Sequence, residues 1–398
     1  MTSTVHIAKN VYGGDGLGRL GDGRVVFVPG AFKGEQVKAE IVEEKKTFVK
    51  ARLVDVVESS PGRLGIAPAP APGMVYANLE NRFEMETKGE QLADFFERAR
   101  LKCPPIPPAE PPPDFLHYRN KVVYHFDRQG SRWLVGYREE PGHRILDMLD
   151  DPLARPEINA SLPGIRQKVM MLLTQGASAV RQAVERKGNL TIRWSRSSGV
   201  KWWIGEAPDA TVMKETSCGR TFEVPADGFW QVNPDVGETL VREVVAEYAR
   251  GAEAAPDVLD LYCGVGVFGL CCRPRLLTGV ESGRQAVGFA RKNAESQGVA
   301  ARFFAQEVGR NLRKLRIGET TTVILDPPRG GLERGVAAFL AKSRAPRIFY
   351  ISCDPATLVR DLRTLTQAYD ISSVKWFNMF PRTARFETFV VLTRRSGR

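Results

Sequence analysis

One cysteine of this chain, Cys353, lies at a position where a reactive thiol could be accessible to a substrate. It stands in Ile351-Ser-Cys-Asp-Pro-Ala-Thr-Leu358, directly after the apolar run 347–351, so the sequence places it where a buried strand ends and a helix begins. A free cysteine in such a place is more often a small buried hydrophobic residue than a nucleophile. Three further motifs shift the balance towards a nucleophile.

A glycine-rich turn upstream indicates a cofactor site. Gly264-Val-Gly-Val-Phe-Gly269 follows a predicted strand, and Gly264 and Gly266 would permit a tight turn and the close approach of a ligand. Glu281 ends the next predicted strand, where an acidic residue can accept hydrogen bonds from ribose hydroxyls. These features suit a nicotinamide dinucleotide and S-adenosylmethionine equally well.

The motif Asp326-Pro-Pro-Arg329 favours the methyl donor. A strand that ends in Asp-Pro-Pro is typical of sites where a methyl donor meets a base taken out of its stack. Enzymes that methylate exocyclic amines usually carry an aromatic residue after the prolines, and Arg329 stands there instead. The motif therefore argues against amine methylation.

Methylation of a pyrimidine carbon would use both a thiol and a base. The C5 carbon of uracil is a poor nucleophile, but a thiolate that adds at C6 makes C5 enolate-like, so that C5 can attack a sulfonium methyl group. A general base must then remove the C5 proton before the thiol is eliminated. Glu387, which opens the predicted strand 387–392, is the candidate base, and a surface carboxylate at a strand edge is the alternative.

The elements that position these residues form the last of three predicted parts. Residues 216–398 alternate strands and helices, which predicts a doubly wound, mostly parallel α/β sheet that binds ligands beyond the carboxyl ends of its strands. Residues 1–60 hold five short strands with glycine turns, typical of a small oligonucleotide-binding barrel. Residues 61–215 contain two proline-rich connectors and a mixed α/β region, with a helical pattern at 164–186.

Cations and aromatic residues in the first two parts are candidates for RNA contact. In the barrel they would suit a surface that follows a nucleic-acid backbone and stacks bases, and they are Lys33, Lys38, Lys45, Lys46, Lys50, Arg52, Phe27, Phe32 and Phe48. The alternative is that the aromatic residues fill the barrel core and the lysines protect its sheet edges. In the central part the candidates are Tyr118, Arg119, Lys121, Trp202 and Trp203, with core packing the alternative for the tryptophans.

The composition favours a polyanionic partner. The formal charge is +11 and the pI about 9.4, which nucleic acid or a membrane surface could satisfy. No stretch approaches the roughly 18 apolar residues of a membrane span, and the first residues lack the features of a signal peptide, so we expect a cytoplasmic protein. The six cysteines form no C-x-x-C pair, which predicts reduced thiols and no metal site.

Taken together, the motifs resemble the RNA uracil-C5 methyltransferase family over nearly the whole chain. The N-terminal part is similar to a TRAM domain, and the other matching motifs are Tyr118-Arg-Asn-Lys121, Phe229-Trp-Gln-Val-Asn233, Leu261-Tyr-Cys-Gly264, Asp326-Pro-Pro-Arg329, Ser352-Cys-Asp-Pro355 and Phe380-Pro-Arg-Thr383 with Glu387. The resemblance implies a class I S-adenosylmethionine-dependent methyltransferase domain with Cys353 as nucleophile and Glu387 as base. It implies that the cofactor is held by Gln231, Tyr262, Gly264, Gly266 in the same turn, Glu281 and Asp326, with Glu307 near the adenine.

The implied reaction is the formation of 5-methyluridine in RNA. A TRAM domain resembles the ribosomal branch of the family, so ribosomal RNA is favoured over transfer RNA, and no membrane and no obligate protein partner are expected. Two other classes stay open. A non-catalytic RNA-binding or assembly factor on the same fold would bind RNA without turnover, and a nicotinamide-dependent oxidoreductase would bind a dinucleotide.

The sequence departs from the family pattern at three places. Many members carry an iron–sulfur cluster on four cysteines, three soon after the TRAM domain and one before a Pro-Leu pair. This chain has no cysteine between residues 1 and 102, and Asp151 precedes Pro152-Leu153, so we expect the cluster to be absent. Val267 stands where asparagine is frequent, and Arg385 where histidine is common. These two residues bear on the orientation of the cofactor and the base.

Overall fold

The computed structural model describes residues 2–65, 71–130, 132–139, 144–174, 188–208, 211–315 and 317–395. Within these ranges, no helix combines the length and the apolar character that crossing a membrane would require. The boundaries of the three parts expected from the sequence stay predictions.

Five short strands at the N-terminus close into a barrel. They are Thr2–Asn10 (β1), Gly16–Arg19 (β2), Val25–Val28 (β3), Gln36–Glu44 (β4) and Phe48–Glu58 (β5), in the order β1-β2-β3-β5-β4. Side chains alternate between the two faces of each strand, so aliphatic residues such as Val26, Val37 and Val49 fill the interior. The predicted barrel is confirmed.

The first helix, α1 (Asn81–Ala99), is held against the C-terminal part of the chain by buried charges. Lys88 is fully buried, and its Nζ donates to Glu84 Oε1 (2.9 Å) and to Asn378 Oδ1 (2.7 Å). The backbone N–H of Arg382 donates to the same Glu84 oxygen (3.0 Å). We call these four residues the α1 clamp, because they fix the helix to the turn that precedes Glu387.

The central part is a five-stranded antiparallel sheet with a helix against it. Its order is β10-β9-β6-β7-β8, and the elements are Lys121–Gln129 (β6), Arg132–Arg138 (β7), Ile145–Asp147 (β8), Pro156–Thr174 (α2), Leu190–Ser195 (β9) and Gly199–Ile204 (β10). β9 and β10 pair as an antiparallel hairpin. The helical pattern expected at 164–186 is seen as far as residue 174, and its remainder lies outside the described residues.

The C-terminal part is a seven-stranded sheet in the order β15-β14-β13-β16-β17-β19-β18. After a hairpin of Val212–Ser217 (β11) and Arg220–Pro225 (β12), its elements are Pro234–Ala249 (α3), Asp257–Leu261 (β13), Val267–Cys272 (α4), Leu276–Glu281 (β14), Arg284–Ser296 (α5), Ala301–Ala305 (β15), a 3₁₀ helix Val308–Lys314, Thr321–Leu325 (β16), Val336–Ala341 (α6), Arg347–Ser352 (β17), Pro355–Leu365 (α7), Tyr369–Phe377 (β18) and Glu387–Arg394 (β19). β13 to β17 are parallel, while β19 is antiparallel to both of its neighbours. The mostly parallel α/β fold class is confirmed.

Candidate functional site

Three adjacent parallel strands present predicted site residues at the same edge of the sheet. β13 pairs with β14 on one side and with β16 on the other. Tyr262 and Asp326 directly follow β13 and β16, and Glu281 is the last residue of β14. The backbone of Tyr262 is left-handed (φ 67°), a strained conformation that turns the chain out of the strand. The three side chains therefore lie where ligands of doubly wound folds bind.

The glycine-rich turn is held by Glu281 and open on its other side. One carboxylate oxygen of Glu281 accepts from the Gly264 N–H (3.2 Å) and the other from the Gly283 N–H (2.7 Å). Gly264 and Gly266 have φ values of 54° and 90°, and no atom lies within 4 Å of the position that a Cβ on Gly264 would take. A ligand can therefore approach the backbone of the turn closely, as the sequence predicts.

A solvent-open cavity of about 590 Å³ lies over this turn, and we call it the glycine-loop cavity. Its walls include Gln231, Tyr262, Gly264 and Asp326 from the predicted set. Within the described chain the Asp326 carboxylate accepts no hydrogen bond, and burial raises its pKa to about 7. A cationic group of a ligand would supply the partner that this carboxylate lacks.

The acceptor groups fit S-adenosylmethionine, with Asp326 in the wall of the cavity and Glu281 bracing the turn without lining the cavity itself. The unpartnered carboxylate of Asp326 suits a cationic amino acid moiety, and the Glu281 carboxylate retains acceptor capacity for ribose hydroxyls. Val267, the first residue of α4, also lines the cavity and offers only apolar surface where the family often has an amide.

Cys353 and Glu387 face each other where β17 and β19 meet. The last residues paired between these antiparallel strands are Ser352 and Thr388, so Cys353 and Glu387 come one step beyond that pair. Burial raises the pKa of the Cys353 thiol to about 12, and the neighbouring carboxylates of Glu387 and Asp326 act in the same direction. The predicted nucleophile, the predicted base and one wall of the glycine-loop cavity are thus brought together.

The Glu387 side chain is enclosed by protein. It is 5% exposed, and its Oε2 has no hydrogen-bond partner in the part of the chain that the structure describes. Burial raises the pKa of the carboxyl well above its usual range, the nearby Asp326 acts in the same direction, and Arg329 opposes them. A strand-edge surface carboxylate, the alternative from the sequence, does not fit this burial.

Arg329 is positioned by the first turns of α7, the helix that begins just after Cys353. Thr357 Oγ1 donates to the Arg329 carbonyl (3.2 Å), and Arg360 Nη2 donates to the Gly330 carbonyl (2.9 Å). The loop after β16 and the helix that follows the nucleophile are therefore joined through backbone carbonyls. The Arg329 guanidinium is near enough to lower the pKa of both Cys353 and Glu387.

The segment that carries Gln231 docks on the central part through Asn120. The Asn120 N–H donates to the Val232 carbonyl (2.9 Å), and Asn120 Nδ2 donates to the Gln231 carbonyl (3.1 Å). Asn233 then caps α3 by accepting from the Val236 N–H (3.3 Å). The Tyr118-to-Lys121 motif thus contributes an amide that orders one wall of the glycine-loop cavity.

Several residues expected to contact RNA are buried instead. Tyr118 is 2% exposed and its hydroxyl donates to the Pro381 carbonyl (3.0 Å), while Trp203 packs in a small core cluster. Phe32 is also buried, with the Arg63 guanidinium over its ring (4.6 Å). For Phe32 and Trp203 the alternative of core packing holds, and the expectation that Tyr118 contacts RNA is wrong. An aromatic residue near cations has the same sequence pattern whether it stacks on bases or packs in a core.

Two residues of this edge were missed at the level of sequence. Phe229 lines the mouth of the glycine-loop cavity and is 71% exposed, an unusual position for a phenylalanine. Asp260 lies beneath the glycine-rich turn, fully buried, and accepts from the Gly269 N–H (3.0 Å). The sequence motif 229–233 includes Phe229, but only the structure shows that its side chain is exposed at the cavity.

Glu307 is placed apart from the other predicted residues. It precedes the 3₁₀ helix, pairs with Arg310 (2.9 Å), and is absent from the residues that line the glycine-loop cavity. Its contact with an adenine stays a prediction.

Asp151, which stands where the family has a cluster cysteine, is the centre of a buried hydrogen-bond network. Its Oδ2 accepts from the hydroxyls of Tyr124 (2.9 Å) and Tyr137 (2.7 Å), and its Oδ1 accepts from the Leu153 N–H (2.9 Å). In the described residues, no group of three or more His, Cys, Asp and Glu side chains could hold a metal ion. The Asp151 carboxylate thus joins neighbouring segments through hydrogen bonds at a position where the family resemblance leads us to expect a cysteine ligand of the cluster. The lack of a cluster stays a prediction.

Comparison with known proteins gives matches across the chain. The family described as tRNA (uracil-5-)-methyltransferase matches residues 178–395, and the TRAM domain matches residues 2–54. An uncharacterized RNA methyltransferase of Aquifex aeolicus is 30% identical, with 97% of both chains covered. The 23S rRNA (uracil(1939)-C(5))-methyltransferase RlmD of Chromohalobacter salexigens is 29% identical, over 98% of this chain and 89% of its own length.

A solved structure shares the fold over the full length. The crystal structure of Pyrococcus abyssi tRNA (uracil-54, C5)-methyltransferase in complex with S-adenosyl-L-homocysteine covers 98% of this chain and 99% of its own. The TM-score is 0.74 at 21% identity, which shows that barrel, central part and catalytic sheet follow one common architecture.

Proposed function

Because the chain belongs to the tRNA (uracil-5-)-methyltransferase family, we propose that it forms 5-methyluridine in RNA through a covalent adduct between Cys353 and the target uracil. The family makes it an S-adenosylmethionine-dependent RNA methyltransferase, and the oxidoreductase alternative is wrong. The observation that carries the proposal is the position of Cys353 opposite Glu387 at the ends of β17 and β19, beside the Asp326 wall of the glycine-loop cavity.

Cys353 has the role of nucleophile. Its sulfur forms a bond to C6 of the uracil, the electron pair of the C5–C6 double bond moves towards C5 and the O4 oxygen, and the thiol proton leaves to water, which reaches the half-buried side chain. The Arg329 guanidinium lowers the pKa of the thiol and so favours this step against the carboxylates of Glu387, Asp326 and Asp354.

The cofactor site supplies the group that C5 receives. When bound, S-adenosylmethionine provides an electrophilic methyl group. In this chain Asp326, Glu281 and the open turn at Gly264 would hold it, with Gln231 and Tyr262 forming further walls of the same cavity. These assignments predict that neutralising either carboxylate weakens cofactor binding.

Glu387 has the role of general base. After methylation, its carboxylate removes the C5 proton, the electrons of that C–H bond re-form the C5–C6 double bond, and the bond from C6 to sulfur breaks, which releases Cys353. Enclosure of Glu387 raises the basicity of its carboxylate and so suits it to take a proton from carbon.

Ribosomal RNA is the substrate that we favour. The relative named RlmD, which acts by its name on 23S rRNA, is 29% identical, and the TRAM domain match supports the same branch. The solved structure with the same fold is named for a tRNA uridine, but at 21% identity it bears on the fold alone.

The test is to trap the adduct. Glu387→Gln should attack uracil and fail to eliminate, so that a protein–RNA complex resistant to denaturing gels accumulates when the variant is incubated with total RNA and S-adenosylmethionine. Cys353→Ala should form none. Cys103→Ala, at a half-buried cysteine that does not line the glycine-loop cavity, should behave as the wild type does. Sequencing the trapped RNA would identify it as ribosomal or transfer RNA.

Two results would contradict the proposal. Normal turnover by Glu387→Gln would remove this residue from the base role, and an adduct formed by Cys353→Ala would remove the nucleophile. Trapped transfer RNA without ribosomal RNA would leave the chemistry intact and overturn only the substrate preference.

A further inference from the structure

A loop of the N-terminal barrel reaches the edge of the sheet where Cys353 lies. It joins β1 to β2 and is closed by a hydrogen bond from the Val11 N–H to the Asp15 carbonyl (2.9 Å). Gln91 of α1 donates to the Val11 carbonyl (2.9 Å), and a Cβ on Gly14 would come within 2.6 Å of Val75. The loop is therefore fixed against α1 and the connecting segment.

The side chain at the tip of this loop, Tyr12, is inserted between other aromatic residues. Its ring makes edge contacts with Phe95 of α1 (centroids 5.6 Å apart) and with Phe386, the residue before Glu387 (5.8 Å). These contacts hold the ring between α1 and the turn that precedes Glu387.

Arg385 holds that hydroxyl beside the nucleophile loop. Its Nη1 donates to the Tyr12 hydroxyl oxygen (3.2 Å) and lies 3.4 Å from Asp354 Oδ2. Asp354 follows Cys353 directly and caps α7 through the Ala356 N–H (3.0 Å). Arg385, the departure from the family pattern, therefore joins the barrel to the residue next to the nucleophile.

The Tyr12 hydroxyl has an unused proton close to Cys353. The two side chains are near enough to interact electrostatically, and burial raises the pKa of Tyr12 to about 12, so the phenol is neutral at physiological pH. Among the described residues the hydroxyl accepts a hydrogen bond from Arg385 and donates to none. A neutral donor polarised by a guanidinium suits an oxygen on which negative charge develops.

We propose that Tyr12 of the barrel is a catalytic residue, whose hydroxyl donates a hydrogen bond to the uracil carbonyl oxygen O4 as Cys353 adds to C6, and that Arg385 positions it. The inference rests on the proposed function, because charge reaches O4 only when the sulfur–C6 bond forms and the electrons of the C5–C6 double bond shift. The barrel then completes the reaction site.

The test measures the addition step with an RNA that carries 5-fluorouridine. Fluorine at C5 cannot be removed as a proton is, so the methylated adduct persists and its formation can be timed on denaturing gels. Tyr12→Phe should form the adduct roughly 10- to 100-fold more slowly than the wild type, the range of a lost transition-state donor. RNA affinity, cofactor affinity and melting temperature should be unchanged, because the aromatic packing is kept.

Matched variants separate a catalytic hydroxyl from a structural one. Tyr248→Phe removes a buried hydroxyl that donates to the Pro256 carbonyl far from this edge, and it should give the wild-type rate. Arg385→Lys should retain more of the adduct rate than Arg385→Met, since the lysine keeps a cation near the phenol. Arg385→Met should not alter cofactor affinity.

The outcomes distinguish this inference from the proposed function. If Cys353→Ala still forms the adduct, the nucleophile assignment fails. If Cys353→Ala forms none while Tyr12→Phe matches the wild type, or loses only RNA affinity, Tyr12 is a packing or binding residue and the present inference is overturned.

Discussion

At Cys353 the free protein opposes ionisation of the thiol. Burial and the carboxylates of Glu387 and Asp326 raise its pKa, while Arg329 lowers it. Helix termini usually favour a thiolate, and Cys353 lies just before α7. Burial and the carboxylates act against ionisation, so removal of a carboxylate should ease it.

We predict that Asp326→Asn makes Cys353 more reactive. One negative charge fewer beside the sulfur lowers the thiol pKa, and at a pH well below that pKa the thiolate fraction rises about tenfold when the pKa falls by one. Iodoacetamide labelling at pH 9, followed by mass spectrometry of the Cys353 peptide, should be slow in the wild type and several-fold faster in the variant. Glu307→Gln, which lies outside the cavity, should label at the wild-type rate, and an unchanged rate in Asp326→Asn would contradict the electrostatic account.

Asp260 should make stability depend on pH. Burial raises its pKa to about 8, so the folded chain keeps the proton that the unfolded chain releases near its ordinary value of 3.8. The free energy of unfolding must then fall as pH rises between those values. The Asp260→Asn variant lacks this pH dependence. Between pH 5 and pH 8, its free energy of unfolding should therefore rise by roughly 2–4 kcal/mol relative to that of the wild type.

Denaturant unfolding at the two pH values measures this gain. Asp257→Asn on the same strand is the control, because Arg275 lowers the pKa of Asp257 and both folded and unfolded chains are ionised there above pH 5. A gain of equal size in the control would show that burial of Asp260 is not its cause.

The sequence predicted the residues of the reaction site better than their surroundings. Cys353, Asp326 and Glu281 each sit at the end of an apolar run, and the order of a doubly wound sheet places such ends together. Tyr12 carries no such signal, since its partner Arg385 is 373 positions away in the sequence. Exposure of Phe229 and burial of Tyr118 likewise depend on packing between the parts of the chain.

At the scale of elements, one face of α1 fixes this helix to the C-terminal part of the chain. The α1 clamp buries a lysine and a glutamate together, and such pairs are held by geometry because each charge would be costly alone. The opposite face carries the exposed pair Arg82 and Glu86. The hydrophobic pattern of this helix does not reveal that buried charges also fix it to the C-terminal part of the chain.

We predict that Lys88→Met destabilises the protein by about 3–5 kcal/mol, because it leaves the Glu84 carboxylate buried without its lysine. Arg82→Met, on the exposed face of the same helix, should change stability by less than about 1 kcal/mol. Denaturant unfolding of both variants gives the comparison. Equal effects would mean that the α1 clamp contributes no more than a surface pair.

At the scale of the whole molecule, the barrel offers RNA a charged surface that is already partly neutralised. Five of its six expected cations form exposed ion pairs with barrel or α1 carboxylates: Lys33, Lys38, Lys45, Lys50 and Arg52. Exposed pairs are weak, so phosphates can compete for these cations. RNA binding by the barrel stays a prediction.

Replacement of Lys33, Lys38, Lys45 and Lys50 by glutamine tests that binding. The plot of log affinity for RNA against log salt concentration should become shallower, its slope falling by roughly one for each phosphate that the barrel no longer neutralises. Cofactor affinity should stay the same. The control replaces Arg82 and Arg98 of α1, and an unchanged slope in the barrel variant would mean that these lysines do not touch RNA.

The interactions near Cys353 also join regions of the described chain that are far apart in the sequence. Lys88 donates a hydrogen bond to Asn378, which is 290 positions away in the sequence. Arg385 donates one to Tyr12, which is 373 positions away. Loops of this length close at an entropic cost before their interactions stabilise anything, whereas the strands of the barrel find partners nearby in the sequence. During refolding, secondary structure should therefore return ahead of activity, with the pocket around Cys353 among the last regions to assemble.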